Sequence, residues 1–167
     1  MTTAQKLLAE LDQEMGPTRR LLERVPSEHA TWKPHPKSFP LGHLAQLVAR
    51  MPGWLPAMLT APQIDLAAMP PYSFAPTPEL LAELDAGVAA ARAALASVSE
   101  EAFDEPWSLK RGDMVLFTAP RGVVVRQHMS HMAHHRGQLT VYLRLKDVPI
   151  PSIYGPTADE RMFQPVA

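Results

Sequence analysis

Hydrophobic residues recur at helical spacing in four stretches of the chain. The first stretch runs from Ala4 to Val25, and Gly16-Pro17 is expected to bend or interrupt this helix. The second, LGHLAQLVARM, begins after Pro40 and ends before Pro52, and the residues that follow are expected to continue it after a kink. Both patterns predict helices that turn one apolar face toward a core.

The second half of the chain predicts two longer helices. Thr77-Pro78-Glu79 is a strong helix start, and the Ala- and Leu-rich run that follows is expected to be helical to about Val98. The fourth helix covers about Arg121 to Lys146. Prolines in residues 60–76 predict a long crossover between helices two and three, and WSLKRGDMVLFTA is typical of a short hairpin. Together these elements predict an all-α four-helix bundle in a single domain, residues 1–167.

The composition narrows the classes of function. The chain has 167 residues, of which 46% are hydrophobic and 20% charged, as in ordinary globular proteins. Sixteen Lys and Arg residues balance seventeen Asp and Glu residues, so no basic surface for nucleic acid or an anionic membrane is expected. The sequence shows neither a signal peptide nor an apolar run approaching the roughly 20 residues that cross a bilayer. A cytoplasmic location is therefore expected.

Histidine is the candidate metal-binding residue, because the chain contains no cysteine. Four of the seven histidines fall in HMSHMAHH on the fourth helix. His131 and His135 are four residues apart there, which places them roughly 40° apart on the helical wheel. Two imidazoles in this arrangement can bind one ion, so the spacing indicates a metal site. The alternative is that neighbouring groups satisfy these histidines and they bind nothing.

Further polar residues extend this face of the helix. His128 precedes His131 by three residues, and Gln138 and Tyr142 follow it within about 20° of the same line. They predict a polar pocket inside the bundle, in which Gln138 or Tyr142 orients a substrate or a metal ligand.

A third protein ligand is expected from outside the fourth helix. His43, on the second helix, shares a side with Leu47 and Met51, which suggests that it faces the interior. The alternative for His43 is an isolated helical histidine with a local hydrogen bond. His35, which lies in a loop between two prolines, is the weaker candidate.

The chain resembles the DinB/YfiT-like superfamily of metal-dependent proteins over most of its length. The resemblance rests on HHRGQLTVYLRL followed by VPIPSIYGPTADE, together with ERVP, WKPHPKS, LGHLA, WSL and LFT. It implies a four-helix bundle, commonly dimeric, with a three-His site for a divalent metal such as Zn²⁺ or Ni²⁺. Characterised relatives include transferases that use a low-molecular-weight thiol such as bacillithiol or mycothiol, and members similar to isomerases or hydrolases.

Carried over to this sequence, the family's two ligands on the fourth helix fall on His131 and His135. Its ligand on the second helix lies in a pattern like L-A-x-H-V-A, which reads LAQLVA here, so Leu47 occupies that ligand position. His43 lies one turn earlier and would reach the metal only in a rearranged site.

Two functions from different classes follow from these observations. The first is a divalent-metal-dependent enzyme, a transferase or hydrolase, that acts on a small molecule by activating a cofactor thiol or a water. The second, which Leu47 favours, is a non-catalytic bundle with a degenerate metal site that serves as a binding or stress-response module. A homodimer is expected in both cases, and neither nucleic acid nor a membrane is an expected partner.

Overall fold

The structure, a computed structural model, describes residues 1–161, so residues 162–167 of the predicted domain lie outside the described range. Within the described range, five α-helices and three β-strands are joined by loops and short 3₁₀ turns. The helices are α1 (Thr3–Leu22), α2 (Leu41–Arg50), α3 (Leu55–Thr60), α4 (Thr77–Ser97) and α5 (Arg121–Arg144). The strands are β1 (Gln63–Asp65), β2 (Pro106–Arg111) and β3 (Met114–Pro120). Helices α1, α2, α4 and α5 correspond to the four predicted helices.

The prediction of an all-α protein is wrong, because the chain also forms a three-stranded mixed sheet. Strand β2 lies in the middle, parallel to β1 and antiparallel to β3. The β2–β3 hairpin occupies the pattern WSLKRGDMVLFTA, and Gly112 takes a φ of 58° in its turn. Strand β1 lies in the segment that was expected to be an irregular crossover. It is three residues long and pairs with residues 108–110, a contact distant in sequence that local periodicity cannot reveal.

Helix α1 passes through Gly16-Pro17 without the expected interruption. Thr2 and Gln5 cap its first turn: Thr2 Oγ1 accepts from the Gln5 amide at 3.2 Å, and Gln5 Oε1 accepts from the Thr2 amide at 2.9 Å. Leu11 and Leu21, on either side of the proline, are both fully buried. Apolar packing on both sides thus outweighs the roughly 3 kcal/mol that an interior proline costs a helix.

The hydrophobic core lies between the long helices and consists mainly of leucine. Helix α4 packs against α1 and α2, and α2 also packs against α5. The largest fully buried side chains are Leu11, Leu21, Leu22, Leu41, Leu44, Met51, Leu55, Leu80, Leu84, Trp107, Leu139 and Leu143. Within residues 1–161, no helix combines the length and the apolar character needed to span a membrane.

A close approach between α4 and the turn after α2 positions Trp54. A Cβ atom on Gly87 would lie only 2.8 Å from the backbone nitrogen of Gly53, so glycine allows the two backbones to touch. Trp54 follows directly, and its ring stacks on His128 of α5 with 5.7 Å between ring centroids. The bundle packing therefore brings an aromatic wall to the face of α5 that carries the histidines.

Two carboxylates in the segment that follows α5 form ion pairs with arginines of α1 and α5. Asp159 pairs with Arg144 of α5, and Glu160 pairs with Arg20 of α1 at 2.7 Å. The same carboxylates accept hydrogen bonds from backbone amides of the segment itself. This arrangement holds Tyr154 against α1, where its hydroxyl donates to a carboxylate oxygen of Glu14 at 2.8 Å.

Candidate functional site

The central feature of the site is a pair of histidines on consecutive turns of α5. The Nε2 atoms of His131 and His135 lie 2.7 Å apart, so the two rings converge on one point. Nδ1 of His135 lies 2.8 Å from Oε1 of Gln138. An amide oxygen only accepts hydrogen bonds, so His135 donates through Nδ1 and carries its lone pair on Nε2. That lone pair accepts the Nε2 proton of His131 in the metal-free pair.

The surroundings keep both imidazoles neutral. His135 is buried, whereas His131 is exposed on one side. Burial is the main cause that lowers the pKa of each. The hydrogen bond to Gln138 partly offsets this shift in the pKa of His135, and neighbouring histidines lower both pKa values further. The neutral imidazole is the form that binds a metal, so the local environment suits metal binding near neutral pH.

His43 lies near this pair but is occupied by other contacts. Its ring is stacked between Phe39 and Tyr72, with centroid distances of 4.4 and 4.1 Å. Burial, followed by the charge of nearby His135, lowers the pKa of His43. Across residues 1–161, no group of three or more His, Asp or Glu side chains is arranged to hold a metal ion. The structure therefore brings together two of the three predicted ligands and leaves His43 in an aromatic stack.

Two other predicted candidates have local roles. His35 accepts a hydrogen bond from the backbone amide of Lys37 at Nδ1, at 3.2 Å, in an exposed loop. Tyr142 donates its hydroxyl proton to the carbonyl of Phe39 at 3.2 Å and packs edge-on against Trp32. Tyr142 of α5 thus makes a hydrogen bond to the loop that precedes α2. Gln138, in contrast, contacts the histidine pair itself.

His128 is a buried structural residue. Its side chain and backbone together are only 4% exposed, and Nε2 donates to the carbonyl oxygen of Met51 at 2.8 Å. Burial lowers its pKa to about 4. One face of the ring packs on Trp54, so His128 joins α5 to the end of α2.

Acid is expected to destabilise the protein through His128. Between pH 6.5, its usual pKa, and about 4, the unfolded chain binds a proton at this residue that the folded chain does not bind. The free energy of unfolding therefore decreases as the pH falls through this window. The decrease is about 1.4 kcal/mol for each pH unit and about 3 kcal/mol over the whole window. Urea unfolding at pH 7 and at pH 4.5 measures the loss.

His128→Gln is the matched control, because glutamine can still donate to the Met51 carbonyl but does not titrate. The variant should show a smaller loss of stability over the same pH interval. Equal losses in the two proteins would show that His128 does not cause the acid sensitivity.

Leu47 lies in the part of α2 that is level with His131 of α5. Near one end of α2, His43 lies close to His135, and at the other end the Met51 carbonyl contacts His128. The two helices therefore run in opposite directions, and Leu47, midway between these contacts, is placed opposite the turn that carries His131. Leu47 is buried in the core. A buried apolar side chain thus occupies the level of α2 that corresponds to His131.

A cavity of about 310 Å³ adjoins the histidine pair. Its walls are formed by Trp54, Met58, Trp107, Leu109, Phe117 and Val124. Gln127, His128 and His131 also line it, so one imidazole of the pair faces a mostly apolar space that has a polar edge on α5. The predicted hairpin supplies part of this wall through Trp107, Leu109 and Phe117, so the hairpin contributes to the site.

Arg136 is a buried polar residue of α5 whose partners sequence reasoning did not identify. It is 2% exposed and donates to a carboxylate oxygen of Glu14 at 2.5 Å and to Thr18 Oγ1 at 2.9 Å. Tyr154 also contacts its guanidinium. The sequence shows only that an arginine lies within a helix expected to face the core. This signal does not identify the residues with which Arg136 pairs.

Two solved structures of similar fold come from bacilli. A DinB-like protein of Bacillus subtilis, YjoA, superposes with a TM-score of 0.68 and 17% identity, over 93% of this chain and 99% of that one. A DinB-like protein of Bacillus cereus ATCC 10987 gives a TM-score of 0.68 and 18% identity, over 89% and 95%. At these identities the likeness shows the fold alone.

Sequence comparison gives a short local match and a match over nearly the whole chain. The uncharacterized protein YrdA of Bacillus subtilis strain 168 is 42% identical over 41 residues, which span 25% of this chain and 25% of YrdA. The sequence model of the DinB family matches residues 1–164. With that coverage, and with the fold shared with DinB-like proteins, the chain belongs to the DinB family.

Proposed function

We propose that the protein is a divalent-metal-dependent enzyme that acts on a small molecule, with the ion held by His131 and His135. The observation that supports this function is the convergence of the two Nε2 atoms, 2.7 Å apart, at the edge of an apolar cavity. Replacing the shared proton by an ion requires a change of tautomer at His131 and a small separation of the two rings, because nitrogen ligands about 2.1 Å from a tetrahedral Zn²⁺ lie roughly 3.4 Å from each other. Zn²⁺ and Ni²⁺ are the expected ions, because both accept imidazole ligands readily.

The donor set fits a metal with two protein ligands. Gln138 accepts the Nδ1 proton of His135, and such a contact to a ligating histidine fixes its ring and raises its basicity. A site with only two protein ligands leaves several coordination positions open to water and substrate, whereas closed structural zinc sites use four protein ligands.

A bound divalent ion would act as a Lewis acid that lowers the pKa of a water or a thiol, in transferase or hydrolase chemistry. The chain has no cysteine, so a thiol must come from a cofactor, such as a low-molecular-weight thiol of the bacillithiol type. The protein's own residues would position the reactants: His131 and His135 hold the reacting group beside the cavity, and the cavity walls exclude water from the rest of the substrate.

The test is elemental analysis of untagged protein purified without chelators and then dialysed with Zn²⁺ or Ni²⁺. We expect near-stoichiometric metal in the protein and background metal in His135→Ala, since one imidazole alone does not form a site. His134→Ala is the matched control, because His134 is exposed and adjacent but does not converge on the pair. Absence of metal from the unchanged protein, or equal loss in His134→Ala, would refute the proposal.

A second candidate function is a non-catalytic binding module that has lost its metal site. Buried Leu47, and the lack of a three-ligand cluster within the described part of the chain, favour this candidate. Thermal unfolding distinguishes the two functions, because a metal that binds the native state must raise the melting temperature. A melting temperature that saturating Zn²⁺ and Ni²⁺ leave unchanged would support the non-catalytic module.

A homodimer is a further expectation, and the sheet offers a surface for it. Strand β3 is at the edge of the sheet, and its residues 114–117 expose four consecutive apolar side chains. Exposed apolar edge strands commonly pair with another chain. Sedimentation equilibrium should give twice the chain mass of 18.4 kDa, and Leu116→Lys should shift the protein toward the monomer. A monomeric unchanged protein would contradict the expectation.

A further inference from the structure

We infer that the cavity beside the histidine pair binds an apolar group that carries an O–H or N–H donor, and that Nδ1 of His128 accepts the hydrogen bond from this donor. The inference names a class of substrate for the proposed enzyme, and to that extent it rests on the proposed function. The binding itself requires no metal, so the two can be tested separately.

The two ring nitrogens of His128 have different roles. Nε2 lies 2.8 Å from the carbonyl oxygen of Met51, which can only accept, so Nε2 carries the ring proton. Burial lowers the pKa of this imidazole to about 4, so the ring is neutral near pH 7. In a neutral imidazole the other nitrogen has a lone pair and no proton. Nδ1 is therefore an acceptor, and the Met51 contact and the stacking on Trp54 fix its orientation.

Nδ1 of His128 opens onto the cavity. Within residues 1–161 the hydrogen bond of the His128 side chain is made by Nε2, and Nδ1 has no partner. In the same part of the chain, the one side-chain nitrogen or oxygen atom that is both enclosed and unpaired is Nε1 of Trp107. Nδ1 therefore keeps accessible surface, although the residue as a whole is only 4% exposed. Since His128 lines the cavity, this surface lies there.

The rest of the lining suits an apolar body with a polar group at one end. Six of the nine described lining residues are aromatic or aliphatic, and they come from the bundle and the hairpin. The other three, Gln127, His128 and His131, lie within five residues of one another on α5 and form the polar edge. The volume of about 310 Å³ is at the lower end for small-molecule pockets and suits one or two rings.

His128 is the member of this edge that distinguishes a donor from an acceptor. A ligand without a donor would displace water from Nδ1 and leave a buried acceptor unpaired, which weakens binding. Gln127 is exposed, and its amide both donates and accepts, so it does not make this distinction. The ring centroids of His128 and His131 are 6.2 Å apart, so the donor group would lie near the histidine pair. An ion there is compatible with the ligand, because a hydroxyl that donates its proton keeps its lone pairs.

Indole and benzofuran test the inference, because they share a shape and only indole has an N–H donor. Binding is measured by calorimetry with EDTA present. We expect the unchanged protein to bind indole about tenfold more tightly than benzofuran, the effect of one hydrogen bond. His128→Phe keeps a ring beside Trp54 without an acceptor and should reduce this preference to less than about twofold. Gln127→Ala is the matched control on the same edge and should keep the preference.

The inference is overturned if indole does not bind, if benzofuran binds as tightly, if His128→Phe keeps the preference, or if Gln127→Ala removes it. Should His128→Phe fail to fold, ¹⁵N labelling of the histidines in the unchanged protein decides. The signal of the unprotonated ring nitrogen of His128 should move upfield with indole and not with benzofuran, because a nitrogen lone pair that accepts a hydrogen bond is shielded. No such difference would overturn the inference.

His135→Ala separates the inference from the proposed function. His135 is not among the residues that line the cavity, so this variant should lose metal and keep the preference for indole. An unchanged protein that discriminates the two ligands but binds no metal would refute the proposed function alone. A protein that binds metal but does not discriminate them would refute the inference alone.

Discussion

Replacement of Arg136 by methionine is expected to lower the free energy of unfolding by about 3–5 kcal/mol, the cost of removing one partner of a buried ion pair. The guanidinium is 2% exposed and donates to the side chain and backbone carbonyl of Glu14, to Thr18 and to the Tyr154 hydroxyl. Methionine fills the space but leaves the Glu14 carboxylate, whose side chain is 15% exposed, without its cation. Urea unfolding followed by circular dichroism measures the loss.

Arg126→Met provides the matched control on the same two helices. Arg126 of α5 pairs with Glu10 of α1, as Arg136 pairs with Glu14, but the two side chains are 56% and 34% exposed. An exposed pair of this kind is worth about 0–1 kcal/mol. A similar loss of stability in the two variants would mean that burial does not determine the importance of the Arg136 contact.

The role of Arg136 explains one part of the motif HHRGQ in physical terms. His135 and Gln138 belong to the candidate site, whereas Arg136 turns away from them toward α1 and the segment after α5. It fixes α5 against α1 and so holds the histidine pair in place relative to the rest of the bundle. We therefore expect Arg136 to affect the site through stability.

Much of the helical architecture could be predicted because it depends on local pattern. Apolar spacing, prolines at helix starts and the Arg111-Gly112 turn all act within a few residues of one another. Strand β1 could not be predicted, because its three residues are extended only through pairing with β2, more than 40 residues later. The passage of α1 through Pro17 was missed for the same reason: core packing, which is not local, outweighs the local cost.

In the candidate site, too, the features that depend on local helix geometry could be predicted, and those that depend on distant contacts could not. The approach of His131, His135 and Gln138 follows from helix geometry, and it could be predicted from spacing alone. Their role as metal ligands stays a prediction. The stacking of His43 depends on side chains from other parts of the chain, so the sequence alone gave no sign of it.

Leu47→His is expected to raise the affinity for Zn²⁺ by roughly 100-fold. Zinc binding worth about 10–16 kcal/mol over four ligands corresponds to roughly 3 kcal/mol for each added ligand, or about two powers of ten. The contacts of His43 with His135 and of Met51 with His128 place position 47 opposite the turn that carries His131. A histidine there would add a third neutral imidazole to the pair. Competition with a zinc-binding dye at pH 7.5 measures the change in affinity.

Leu47→Phe is the control, because it introduces a ring of similar size that has no ligating nitrogen. It should leave zinc affinity unchanged, and the melting temperatures of both variants report whether the core tolerates a ring at this position. If Leu47→His folds and binds zinc no better than the control, position 47 does not face the pair. The candidate site would then have to be completed by substrate or water alone. If the affinity rises as expected, the leucine is the single residue that separates this site from a three-histidine metal centre.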